Sequence, residues 1–205
     1  MRKIASRPPI LLLMLLLAAA ACNLLTRPDP GGTHLPPPVS TAPATTARFE
    51  GATITTYPIS GQTAAELRAQ MDLYGPTVDG YKGDAAATWY ISWNWPGYGT
   101  ETCDLSQAST SLATTVILPE WKGATEASAK LRQQWSTYLD HLAAHEQGHL
   151  DLVAKYYPQV RPAILGATCA SAEAAAQTIL EQLRAADRTY DTETMHGAAQ
   201  GAVFP

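Results

Sequence analysis

Five residues in the second half of the chain, His145-Glu146-Gln147-Gly148-His149, have types and spacing suited to metal chemistry. In a helix, positions i and i+4 stand one turn apart on one face, so His145 and His149 can offer two imidazoles to one cation. Glu146 sits beside the first histidine, where it can reach a metal-bound water without being a ligand. In the HExxH pattern this glutamate is the general base and Zn2+ the usual ion. The metal brings the pKa of its water toward about 7. The glutamate then takes the proton and returns it to a leaving amine. Gly148 is odd in a helix interior, where it costs about 1 kcal/mol against alanine. A small residue there is read as room for close packing of another segment.

A catalytic site needs a third protein ligand and an open position. The extended pattern HExxHxxGxxH is absent, because Leu152 stands where it requires glycine. Three residues downstream are candidates: His196, which precedes Gly197 and is preferred, then Glu173 and Asp191. Tyr190 is a candidate phenol for stabilising an oxyanion, set against plain packing of the C-terminal segment. His141, one turn before His145, reads as a supporting or surface residue rather than a ligand.

The elements that must position these residues follow from periodicity. Phe49 to Ile59 alternates as a strand. Thr63 with Glu66 has the spacing of a capping box and starts a helix that Gly75-Pro76 ends. Trp89, Ile91, Trp93 and Trp95 alternate with Tyr90, Ser92 and Asn94, the clearest period-2 run in the chain. The tryptophans share one face, expected to pack in a core and able to act as a contact platform if exposed. Cys103 to Leu118 reads as a further strand stopped by Pro119, and its Thr114–Leu118 end could pair with an extended peptide or equally be internal to the sheet. After Gly123, apolar residues from Ala127 to Tyr156 recur at spacings of three and four, the face of a long helix. Pro158 is expected to end it, and a break near Thr137–Leu142 is open. A last helix is expected from about Ser171 to Asp187. Strands first and helices second indicate an α+β fold, an antiparallel sheet packed on the HExxH helix and the C-terminal helix.

The N-terminus has a different character. Arg2, Lys3 and Arg7 precede the apolar run Ile10–Ala21, whose 12 residues are fewer than the roughly 17–25 needed to cross a bilayer. The reading is a signal peptide over residues 1–21. Cys22, directly after the alanine run Ala18–Ala21, is read as the lipidated residue. Residues 22–47 are rich in Pro and Thr and cannot bury enough surface to offset ordering entropy. They are expected to tether a domain spanning residues 48–205. The full chain has 205 residues and a net charge of −4; losing the three basic residues before Cys22 leaves 11 basic against 18 acidic, a charge of −7. Such a balance argues against nucleic-acid binding. In an oxidising compartment the remaining pair, Cys103 and Cys169, is expected to form a disulfide.

HEQGH after a Trp-rich strand, Leu118-Pro119-Glu120-Trp121, and the terminal run Tyr190 to Gly197 (YDTETMHG) together resemble bacterial domain-of-unknown-function family 922, over roughly Thr55 to Pro205. That family is described as secreted zinc-dependent proteases. The resemblance implies zinc at His145 and His149, Glu146 as catalyst and a role for His196. The expectation is a zincin-like peptidase held to the membrane by its N-terminal lipid, facing outward in a bacterial cell envelope, with a peptide or protein as substrate. The alternative is a catalytically silent, zinc-stabilised lipoprotein that binds envelope material or a partner.

Overall fold

Local signals set the first elements of the computed structural model, which describes residues 48–78 and 80–205. Strand β1 (Thr53–Ser60) leads into helix α1 (Ala64–Tyr74). The expected capping box is formed: Thr63 Oγ1 accepts from the Glu66 amide at 3.2 Å, and a Glu66 carboxylate oxygen accepts from the Thr63 amide at 3.2 Å. Gly75 ends the helix. A two-residue ladder, β2 (Thr77–Val78) with β3 (Tyr81–Lys82), precedes the long strands β4 (Ala86–Asn94) and β5 (Ser109–Lys122). Two long helices follow, α2 (Ala129–Leu165) and α3 (Ala172–Thr194). The fold is α+β, with an N-terminal sheet and two long helices. The signal segment, Cys22 and the tether expected over residues 1–47 lie outside the described residues. Among the described residues no helix is long and apolar enough to cross a membrane.

The sheet departs from expectation in direction. Its order is β1-β5-β4; β4 runs antiparallel to β5, but β1 runs parallel to it, pairing Thr53 with Thr115 through to Ser60 with Lys122. Side-chain alternation has the same period in either direction, so the pattern alone does not carry orientation. β5 is therefore central, and its Thr114–Leu118 segment is already paired on both sides along most of its length. Of the two expectations for this segment, the internal strand is the one formed, and the edge that could take up a peptide is not. Pro119 does not stop it. β4 begins opposite Ile117, so Pro119 lies on a stretch paired to β1 alone, where a missing N–H can be borne.

The helices also run further than their sequence signals. α2 is unbroken at Thr137–Leu142 and continues through Pro158 and Pro162 to a cap at Gly166. Each proline forfeits one i→i−4 hydrogen bond. Val160 and Ile164, both fully buried, anchor this last part of the helix against the α3 core. α3 extends to Thr194, so Tyr190 and Asp191 stand on a helix rather than in a tail. The Cys103–Cys169 disulfide is present, with Cα atoms 5.7 Å apart, and ties the segment before β5 to the α2–α3 turn.

Three apolar clusters surround α2. Its N-terminal half packs Leu131, Trp135 and Tyr138 against Leu67 and Met71 of α1 and Phe204 near the C-terminus. Its middle packs Ala143 and Leu150 on Val116 and Leu118 of β5. Its C-terminal half joins α3 and the inner face of β4. The HExxH turn lies where these meet.

Candidate metal centre

His145, Glu146 and His149 fall on the part of α2 that faces α3 and β4. The two imidazole rings are 4.9 Å apart, centroid to centroid. Opposite them stands Asp191 on α3. One of its oxygens, Oδ1, lies 3.3 Å from His145 Nε2 and 3.2 Å from His149 Nε2. His145, His149 and Asp191 thus form a group that could hold a metal ion, with donor atoms all within 4.8 Å of one another. Two imidazoles and a carboxylate are a donor set suited to divalent transition metals.

The other ring nitrogens are occupied. His145 Nδ1 donates to Gln200 Oε1 at 3.0 Å, and His149 Nδ1 donates to Asp187 Oδ1 at 3.2 Å. Both bonds leave Nε2 free as the donor and fix the ring planes. Asp187 has a second task, accepting from Trp89 Nε1 at 3.0 Å through its other oxygen. Sequence reading missed Asp187 and Gln200. The signal for the first was available: Asp187 and Asp191 are four apart on one helix, the same spacing as the two histidines they face. Gln200 carried no such signal.

Burial tunes the charges. Glu146 is 3% exposed. Desolvation pushes its carboxyl up to about 7, with His149 and the Ala87 backbone amide pulling the other way. Burial lowers the His145 pKa, partly countered by Gln200. At His149 burial also favours the neutral ring, but the Asp187 hydrogen bond and the charges of Glu146, Asp191 and Asp187 outweigh it and raise the pKa.

Tyr190 stacks on the His145 ring at 5.1 Å and meets the His149 ring edge-on at 5.0 Å. Its hydroxyl donates to the His145 carbonyl at 3.2 Å and accepts from Gln200 Nε2 at 3.1 Å. These contacts hold Tyr190 against the HExxH turn. Gly148 makes the approach possible, because a Cβ there would lie 2.1 Å from the Tyr190 hydroxyl oxygen.

The remaining candidates separate. His196 Nδ1 lies 3.6 Å from Asp191 Oδ1, and its ring stacks on Tyr81 at 4.1 Å. Met195 and His196 both have φ of 51°, left-handed values that non-glycine residues adopt at a cost. Glu173 is remote from the histidines; it accepts from Trp93 Nε1 at 2.8 Å and from the Tyr98 hydroxyl at 2.5 Å. His141 Nδ1 bonds the Gly201 carbonyl at 2.9 Å and helps seat the C-terminal segment. Trp95 is buried as expected, whereas Trp89 and Trp93 are only half-buried against the same core.

The group opens on a cleft of roughly 1120 Å³ between β4, α3 and the C-terminal segment, and Glu146, Trp89 and Arg184 are among its walls. No curated protein and no solved structure matches the chain. The family described as "Bacterial protein of unknown function (DUF922)" matches residues 54–197, well over half of the chain, and the chain belongs to that family.

Proposed function

We propose that the chain is a zincin-like zinc peptidase, exported and held at the outer face of a bacterial membrane by a lipid on Cys22. The observation that carries this reading is a buried carboxyl, Glu146, beside two histidine Nε2 atoms aimed at one aspartate oxygen on the wall of an open cleft. His145, His149 and Asp191 would hold the ion, with His196 within reach as a further donor. Zinc, when bound, supplies a Lewis acid for a carbonyl and acidifies water. Glu146 is suited to take up a proton from a nucleophilic water at its carboxylate and to pass it to a departing amine. A carboxyl shifted toward neutrality does both at ordinary pH. Asp187 and Gln200 hold the Nδ1 side of the rings, so the Nε2 lone pairs would be free for the ion. Residues 22–47 would give the domain reach from the membrane.

The deciding experiment compares wild type with Glu146→Gln. Both are expected to carry one zinc per chain, and only wild type to hydrolyse peptides. Wild-type protein without stoichiometric metal, or a Gln variant equally active, overturns the reading. A second reading, a silent zinc-stabilised lipoprotein, draws on His196: as a fourth ligand it would close the coordination sphere that catalysis needs open. Cobalt substitution distinguishes the two, since a closed site shows no spectral change when a competing anion is added.

A further inference from the structure

On α3, the helix that carries Asp187 and Asp191, two arginines line the same cleft. Arg184 and Arg188 are both exposed, and both border the space next to His149 and Asp191. Four residues apart, they project from one side of the helix. Among the described residues neither takes part in an ion pair; the guanidinium there that does, Arg68, is engaged by Asp72 and Asp84. The two acidic groups of α3 that line the same cleft are already occupied. Asp187 accepts from His149 and Trp89, and Asp191 faces the two histidines.

Arg184 is also held in place. Its guanidinium lies 5.5 Å from the centre of the Trp89 ring, and Trp89 is itself fixed by Asp187. A continuous set of contacts therefore runs from His149 through Asp187 and Trp89 to Arg184. A stacked guanidinium keeps its donor fork free and oriented, which suits a carboxylate. Beyond Trp89 a second groove of roughly 380 Å³ continues along β4 past Trp93 and Tyr98, with Arg184 shared between groove and cleft. Arg184 and Arg188 thus add two positive charges, in no ion pair among the described residues, to a cleft whose walls also hold Asp72, Asp84, Asp187 and Asp191.

We infer that this cleft selects peptides bearing a carboxylate close to the bond at the metal centre, read by Arg184 and Arg188. The inference rests on the peptidase reading for its site and adds the substrate class. Peptide backbone beyond that carboxylate lies over the Trp93–Tyr98 groove. Rim charges of this kind govern partner choice and capture more than chemistry.

Binding and turnover test it separately. Glutamate-rich fluorescent decapeptides, and counterparts with every glutamate replaced by glutamine, are titrated into the zinc-loaded Glu146→Gln protein. The acidic peptides are expected to bind about tenfold tighter, the scale of charge-assisted hydrogen bonds, with the difference shrinking as salt is added. Replacing both arginines by glutamine should abolish the difference, and replacing both by lysine should restore part of it. Equal binding, binding of neither peptide, or a preference that survives the double glutamine variant overturns the inference. Cleavage by the wild type then tests the other reading. Acidic peptides that bind preferentially but are never cut would remove the peptidase and leave the carboxylate site standing. Acidic and neutral peptides cut with equal efficiency would do the reverse.

Discussion

Gly148 and Tyr190 occupy one another's space: the tyrosine hydroxyl lies where a Cβ on residue 148 would stand, 2.1 Å away, with the ring carbon that bears it at 2.3 Å. A helix position that by intrinsic preference favours alanine is thereby reserved for glycine. Through that gap Tyr190 reaches the His145 carbonyl and Gln200, so packing of α3 on α2 at Gly148 is coupled to ring orientation at the candidate metal centre.

Gly148→Ala should therefore destabilise the protein by about 1–3 kcal/mol, the scale of overpacking, instead of stabilising it by the roughly 1 kcal/mol that helix propensity favours. In a Tyr190→Ala background the same change should become neutral or favourable. Urea denaturation of the four proteins in that cycle measures the coupling. Additive effects would show that the two residues do not compete.

Asp187→Asn and Gln200→Ala are expected to keep the fold and to weaken metal binding by about 10–100-fold, because they release the Nδ1 side of the ligand rings. Competition with a chelator of known affinity provides the readout. Asp187→Asn should also change the fluorescence of Trp89, because the amide keeps one acceptor oxygen for the imidazole and indole N–H groups that the carboxylate serves with two.

Asp191→Ala is expected to abolish stoichiometric metal binding, since its oxygen is the atom that both Nε2 nitrogens face. Glu173→Ala should leave binding unchanged, being engaged with Trp93 and Tyr98. His196→Ala separates the two ligand schemes. Metal content after dialysis is the measurement, and a larger loss in His196→Ala than in Asp191→Ala would reverse the assignment.

Glu146 predicts a pH dependence for the metal-free protein. Its carboxyl is raised by burial from 4.5 to about 7. Between those values the folded chain holds a proton that the unfolded chain has released, so stability falls as pH rises through that window. Above it the penalty is fully present, up to about 3 kcal/mol. Stability of metal-free wild type relative to Glu146→Gln, followed from pH 4.5 to 7 by denaturant midpoint, should decline accordingly, and bound cation should flatten the slope. Parallel profiles for the two proteins would remove burial of this carboxyl as a source of instability.

What the sequence determined by itself is local. One-turn spacing places His145 and His149 on one helix face whatever the tertiary fold. The Thr63–Glu66 cap, the period-2 strand Ala86–Asn94 and the strand-then-helix order need only neighbours along the chain, and all are present. Direction of β1, the survival of α2 beyond Pro158 and the length of α3 were decided by packing. Buried residues such as Val160 and Ile164 outweigh local breakers, and alternation looks alike in parallel and antiparallel strands. The partners of the histidines belong to this second group. Asp191, Asp187 and Gln200 lie about 40 to 55 positions from the rings they face. Only the antiparallel return of α3 and the seating of Phe204 in the core bring them there. The sequence carries side chains that could ligate a metal; the tertiary structure decides which carboxylate meets them and which nitrogens they turn toward it.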